Sequence, residues 1–287
     1  LGFTAVLLKW IKDSRLVFNV SDLWPETAVK LGLIQNRWLI RFSTLLEEWI
    51  YRHADKISGQ TQGIIRDIQS RNPDKPVFWL RNGVDVEELK SRLNGADWRK
   101  KSGFKEEDLI FYFGGLIGYA QGLDCILHAA RRVRDIPEVK FVIFGDGPDK
   151  HRLLQLREEL GVENVYFFDG VPKKDIANVI RSMDVGIIPL KNIELFKGAI
   201  PSKTFEILCL KKPVLLGIDG EARELFIEKA QAGLAFEPEN DEALASNIQY
   251  ILANRDKISE WGNQGFSYVV EHFNRKKIAD AFWDFIQ

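Results

Sequence analysis

From residue 109 onward, short apolar runs recur between stretches of helical length: Leu109–Phe113, Val139–Phe144, Val165–Phe168, Val185–Pro189, Val214–Ile218 and Leu234–Phe236. Six strands alternating with helices predict a parallel, doubly wound α/β sheet. In such a sheet ligands bind beyond the carboxyl ends of the strands, so the loops that follow them are the places to look for chemistry.

Upstream the pattern is less regular. Leu16–Val20 reads as a strand, Pro25 opens a helix through Leu31, and Asn36–Ala54 has the spacing of a long amphipathic helix. A short strand at Lys56–Ser58, a helix at Thr61–Arg71 and a strand at Val77–Leu80 follow, closed by an Asn82-Gly83 turn. Three short strands cannot close a self-sufficient α/β layer, so we expect this first domain to be incomplete, with N-terminal sequence missing. A polar helical stretch at Val86–Lys101 leads into the regular region. A helix at Asp241–Asn254 and two more within Phe266–Gln287 end in the aromatic cluster Phe282, Trp283 and Phe285, which must dock on something.

Composition narrows the class. At 287 residues and 45% apolar the chain can build two cores, and 40 basic against 41 acidic residues, net charge −1, argue against nucleic acid as a partner. Cys125 and Cys209 lie far apart without flanking histidines, so neither a zinc site nor a disulfide framework is expected, and a reducing cytoplasm fits. His53, His128, His151 and His272 form no constellation. No apolar run approaches the roughly 18 to 20 residues that span a bilayer. The helix at 36–54, with Trp38, Leu39, Phe42, Leu45 and Trp49 beside Arg37, Arg41 and Arg52, suits either a core-facing role or a membrane-surface patch at the headgroup level.

The candidate chemistry centres on Phe196–Leu216. Pro201 reads as the first helical residue, which would leave the amides of Ser202, Lys203 and Thr204 unpaired and ready for an anion. Glu206 follows Lys203 on the same face one turn later. A ligand with phosphate at one end and vicinal hydroxyls at the other satisfies both groups, and a nucleotide has that form. The plain alternative is a capped helix with a solvated Lys-Glu pair. Three strand-end loops add context. Gly114–Gly122 is glycine-rich and admits close backbone approach, although its spacing is neither a P-loop nor the dinucleotide fingerprint. Gly145–Pro148 reads as a turn and helix cap, and Asp169–Pro172 as an apolar shelf with free backbone groups for a base.

The ordered series GGLIGYAQGLD, FVIFGDGP, VYFFDGVP, DVGIIPL, GAIPSKTFEILCLKKPVLL and AGLAFEPENDEALA, preceded by FNVSDLWPETAVKLG and WLRNGVD, resembles the GT-B glycosyltransferases, specifically the retaining glycosyltransferase family 4. The bacterial subgroup that uses UDP-N-acetyl amino sugars for surface polysaccharide is the most similar. This resemblance implies two Rossmann-like domains, an acceptor-side one at residues 1–85 and a donor-binding one at 86–265, with terminal helices at 266–287 returning to the first. It implies a metal-independent, cofactor-free hexosyltransferase that takes a UDP-sugar and a saccharide or polyprenyl-linked acceptor, in the cytoplasm with a possible peripheral contact at the inner face of the plasma membrane.

Carried over by position, Ser202, Lys203, Thr204, Gly115 and Gly118 would receive the diphosphate, Glu206 the ribose, and Val171 with Pro172 the base. Two positions depart from the family pattern. A Glu eight residues before the ribose-binding one is here Gly198, and a Lys in the first loop is here Gln121. Lys197 and Lys203 are expected to supply the missing positive charge, ahead of Arg81. No Asp-x-Asp pair flanks the glycine loops, so no metal is expected, and no catalytic base is assigned. A UDP-sugar 2-epimerase and a nucleotide-sugar-binding module without transferase activity are the alternative readings.

Overall fold

The computed structural model describes residues 1–30 and 33–287, and within it the chain divides into two compact units, 83–275 and the combination of 1–82 with 276–287.

In the first unit, helix α1 (Gly2–Lys12) precedes β1 (Val17–Val20), α2 (Glu26–Lys30), α3 (Arg37–His53), β2 (Lys56–Gly59), α4 (Gln62–Arg71) and β3 (Val77–Trp79). The end of the helix expected through Leu31 lies outside the described residues. The three strands are parallel in the order β1-β2-β3. Asn36 caps α3, its side chain accepting from the Trp38 and Leu39 amides, and Thr61 caps α4 through the Ile64 amide. Tyr51, Ile57, Ile64 and Ile68 form the core.

The second unit contains α5 (Val86–Ser91), α6 (Trp98–Lys101), β4 (Leu109–Gly114), α7 (Asp124–Arg132), β5 (Val139–Phe144), α8 (Lys150–Leu160), β6 (Val165–Phe168), α9 (Ile176–Arg181), β7 (Val185–Pro189), α10 (Lys203–Cys209) and β8 (Val214–Gly217). It continues with α11 (Glu221–Arg223, prolonged by a π-helical turn), β9 (Gly233–Ala235), α12 (Asp241–Ala253) and α13 (Asp256–His272), and α14 (Arg275–Ile286) then carries the chain into the first unit. All neighbouring strands are parallel, in the order β6-β5-β4-β7-β8-β9. The order reverses between β4 and β7, the topological switch point at which doubly wound sheets open a ligand crevice. Every residue of β4 is buried, and Phe111 stacks on Phe141 with ring centroids 5.7 Å apart. Such close packing leaves the strand ends little freedom.

Three segments differ from expectation. The polar stretch 86–101 is two short helices, because buried Asn178 takes the backbone between them, donating to the Arg92 carbonyl at 2.9 Å and accepting the Asn94 amide at 3.1 Å. Helix α13 begins ten residues before Phe266 despite Gly262 and Gly265. Those glycines serve close packing, since a Cβ on Gly262 would lie 2.2 Å from the Lys211 carbonyl oxygen. The tail at 266–287 also divides: 266–275 belong to the second unit, and only 276–287 to the first, where Phe282 and Phe285 sit against Phe78 at 5.4 and 5.2 Å.

The loop after β5 supports the loop after β4 through the backbone. The Ile117 amide donates to the Asp146 carbonyl at 2.9 Å, and the Asp149 amide to that of Ile117 at 3.1 Å. Gly147 has φ +155°, and a Cβ there would sit 2.3 Å from the Ile117 oxygen. Gly147→Ala is therefore expected to lower the stability of the second unit by about 2 kcal/mol. Thermal unfolding checks this, and an unchanged midpoint would contradict the close approach.

Candidate functional site

A cleft of about 620 Å³ opens beyond the carboxyl ends of β4, β5 and β6. Gly114 and Gly115 from the end of β4, Gly145 after β5, Gly170 and Val171 after β6, and Ser202, Lys203 and Glu206 from the start of α10 line it. Its back wall is Phe144, held by edge contacts from Trp98 at 5.0 Å and a stack on Phe168 at 5.1 Å.

Two partly buried, opposite charges define the cleft. The Lys203 ammonium lies 3.8 Å above the Phe113 ring centroid and donates to Gln121 Oε1 at 3.2 Å. Burial pushes its pKa down to about 8. Burial likewise raises the Glu206 carboxyl above the usual carboxylate range, although Lys173, Arg92 and Arg275 pull the other way. Glu206 makes no ion pair or side-chain hydrogen bond among the described residues, Lys203 included. Partly desolvated charges without an ion-pair partner are costly to the folded chain and mark a place where a ligand supplies the missing partners. Beside Glu206 lies the phenol of Tyr112, whose pKa is raised by burial and by that carboxylate.

The helix start differs from the one expected at Pro201. Ser202 is the cap residue with helical φ and ψ, and the Thr204 amide donates to the Pro201 carbonyl at 3.1 Å. The chain enters α10 through this tight turn, so of the three amides expected to be free, only those of Ser202 and Lys203 lack a protein acceptor among the described residues.

The structure thus brings Gly115, Val171, Ser202, Lys203 and Glu206 to one cleft. Gly115 comes so close to the lysine that a Cβ on it would stand 3.3 Å from Nζ. Four other sequence candidates lie outside that lining. Thr204 is fully buried and its hydroxyl has no partner. Gly118 caps a 3₁₀ turn at Tyr119–Gln121. The Pro172 carbonyl accepts the Asp175 amide at 2.8 Å. Lys197 sits in a 3₁₀ turn, half exposed, paired with Glu194 at 2.7 Å. Asp146 serves its own turn, accepting the Gly147 amide at 2.8 Å.

Tyr112, Phe113 and Leu116 escaped the sequence reading. The first two read there as strand residues and nothing more, and only the register of β4 on its neighbours shows which ones reach the cleft. Gln121, noted as a departure from the family pattern, is the residue that orients Lys203.

Among the described residues no cluster of histidine, cysteine and carboxylate side chains could hold a metal ion, and no helix is long and apolar enough to cross a membrane.

The family model for glycosyl transferases group 1 matches residues 95–268, more than half of the chain, and the chain belongs to that family. It is 28% identical over 263 residues to the putative colanic acid biosynthesis glycosyl transferase WcaI of Escherichia coli, covering 86% of this chain and 62% of that protein. It is 20% identical to the poly(ribitol-phosphate) alpha-N-acetylglucosaminyltransferase of Staphylococcus aureus, over 96% of this chain and 56% of that one. The chain therefore spans about three fifths of the length of these curated relatives. Among solved structures, Anabaena Alr3699/HepE in complex with UDP superposes with a TM-score of 0.75 at 17% identity, over 99% of this chain and 75% of that one. The fold is that of the GT-B glycosyltransferases, α/β with parallel sheets.

Proposed function

We propose that the protein transfers a sugar from a UDP-sugar, an N-acetylated amino sugar by preference, to a saccharide or polyprenyl-linked acceptor in cell-envelope polysaccharide synthesis, retaining configuration as in glycosyltransferase family 4. The observation that carries this reading is the cleft in which partly buried Lys203 and Glu206 stand one helical turn apart without pairing. Membership of the group 1 family supports it, as do relatives named for colanic acid synthesis and N-acetylglucosaminyl transfer and a neighbour that holds UDP.

In this reading the diphosphate sits against the Ser202 and Lys203 amides and the Lys203 ammonium, the ribose hydroxyls donate to Glu206, and the base lies on the Gly170-Val171 side. Breaking the bond between the anomeric carbon and the diphosphate leaves negative charge on the departing oxygen. Lys203 is the group in the cleft that would stabilise it, in a partly desolvated setting that strengthens such an interaction. The metal is dispensable because fixed donors and this ammonium take its place. Peripheral contact with the inner face of the plasma membrane would use α3, where Trp38 is 80% and Phe42 64% exposed beside Arg37 and Arg41.

Because Lys203 must be charged to hold a diphosphate, UDP affinity should fall as pH rises through about 8, by roughly tenfold between pH 7.5 and 9.5. Calorimetry across that range checks the sign, and a flat profile would exclude Lys203 as the diphosphate partner.

The transfer reading is tested by following UDP release from UDP-N-acetylglucosamine with a polyprenyl-linked saccharide present. Release of UDP with a lengthened saccharide is expected. A 2-epimerised UDP-sugar as the main product, or donor binding with no release at all, would favour the epimerase or the binding module instead.

A further inference from the structure

At the opposite end of the six-stranded sheet, where the chain enters β7 and β8, lies a second cavity of about 330 Å³. Asp184 and Lys212, which precede those two strands, line it together with Arg99 of α6 and Arg181 of α9. Most of its polar groups are already used by the protein. Arg99 bonds Asp184 through Nη2 at 2.5 Å, the Ser182 carbonyl through Nε at 3.2 Å and the Glu106 and Asp108 carbonyls through Nη1 at 3.1 Å. Asp184 also accepts the Ile110 amide at 2.7 Å. The Ser182 hydroxyl accepts the Trp98 amide and donates to the Asn178 carbonyl, while Asp97 caps α6 through the Lys100 amide.

Arg181 and Lys212 are different. Neither side chain has a hydrogen bond or ion pair among the described residues, and both residues line this one cavity. Lys212 is only partly exposed. Burial lowers its pKa, and Arg99 and Arg181 add to that against the pull of Asp184. Arg181 is exposed and Lys212 partly buried, the two cations repel each other, and Asp184, already bonded to Arg99, offers them only part of a counter-charge.

We propose that this cavity binds a small phosphate-bearing anion, held by Lys212 and Arg181 and separate from the nucleotide cleft. The arginine fork matches two phosphate oxygens at once, and the ammonium supplies a point charge from another side. The volume lies at the small end of the roughly 300–1,000 Å³ typical of small-molecule sites, which suits a phosphate with a compact organic group better than a nucleotide. The two sites lie at the two ends of α10, which starts in the nucleotide cleft with Lys203 and leads out through Lys212. The proposal does not depend on the transfer reading.

The test is a titration of the isotopically labelled protein with inorganic phosphate, followed by amide chemical shifts, with and without saturating UDP. Saturable shifts at Ser182, Asp184 and Lys212 that persist with UDP bound are expected. Joint Lys212→Gln and Arg181→Gln substitution should weaken phosphate at these amides by at least about tenfold while leaving UDP affinity unchanged. The proposal is overturned by shifts confined to Lys203 and Gly115 and abolished by UDP, by no saturable response in the wild type, or by equal phosphate affinity in the doubly substituted protein. The wild-type titration decides by itself should the substituted chain fail to fold.

Discussion

Lys203→Met is expected to weaken UDP binding about a hundredfold, roughly 3 kcal/mol, while leaving the unliganded second unit as stable as before or more so. The loss follows from removing the one cation among the described residues that lines the cleft, beside Gly115, where a charge-assisted hydrogen bond to a diphosphate reaches the upper end of its usual worth. The gain in stability follows from the sign of the pKa shift. A lysine depressed from 10.5 to about 8 by burial opposes folding while it is charged, most fully below pH 8, and the opposition fades as pH rises from there towards 10.5. Methionine keeps the packing on Phe113 and removes the buried charge. A structural lysine would show the reverse, an unfolding midpoint that drops with little change in affinity. Calorimetry and thermal unfolding on one sample separate the two.

Glu206→Ala is expected to cost ten- to thirtyfold in UDP affinity, the worth of one or two hydrogen bonds from ribose hydroxyls to a carboxylate. The informative comparison uses the same nucleotide without its two ribose hydroxyls. Wild-type protein should bind this analogue about as weakly as the alanine variant binds UDP, and the variant should hardly distinguish the two ligands, because the partner of those hydroxyls is already gone. If the variant discriminates as strongly as the wild type, the ribose does not meet Glu206. Folding is not at risk in this substitution, since Glu206 has no ion pair or side-chain hydrogen bond among the described residues to lose.

The strands of the second unit were the most legible part of the chain. Val139–Phe144, Val165–Phe168 and Val185–Pro189 match the apolar runs residue for residue, because a covered parallel strand leaves few polar positions to blur its ends. The helices that contain glycine or depend on distant partners were less so. Helix α13 keeps Gly262 and Gly265 for close packing against Lys211 and Leu208, and a local reading takes glycine as a break. The segment 86–101 is shaped by Asn178, more than eighty residues away in sequence, and no local pattern carries that information.

The same distinction runs through the site. Lys203 and Glu206 could be paired from their spacing on one helix, and their meeting with Gly115 and Val171 was expected from the family resemblance. That they would be partly buried without pairing could not, since desolvation is a property of the surrounding fold. Thr204 was placed among the free amides on the assumption that proline takes the first helical position, whereas the turn from Pro201 to Thr204 closes on itself. Lys197, offered as a second cation, is held by Glu194 on an exposed turn, a local pairing at spacing three that the sequence does contain.

The most direct measurement is electron density for UDP in a crystal of this protein. The account predicts the diphosphate within hydrogen-bonding reach of Lys203 Nζ and the Ser202 and Lys203 amides, with the ribose hydroxyls on Glu206. A nucleotide bound elsewhere, or bound here with its ribose turned from Glu206, would contradict it.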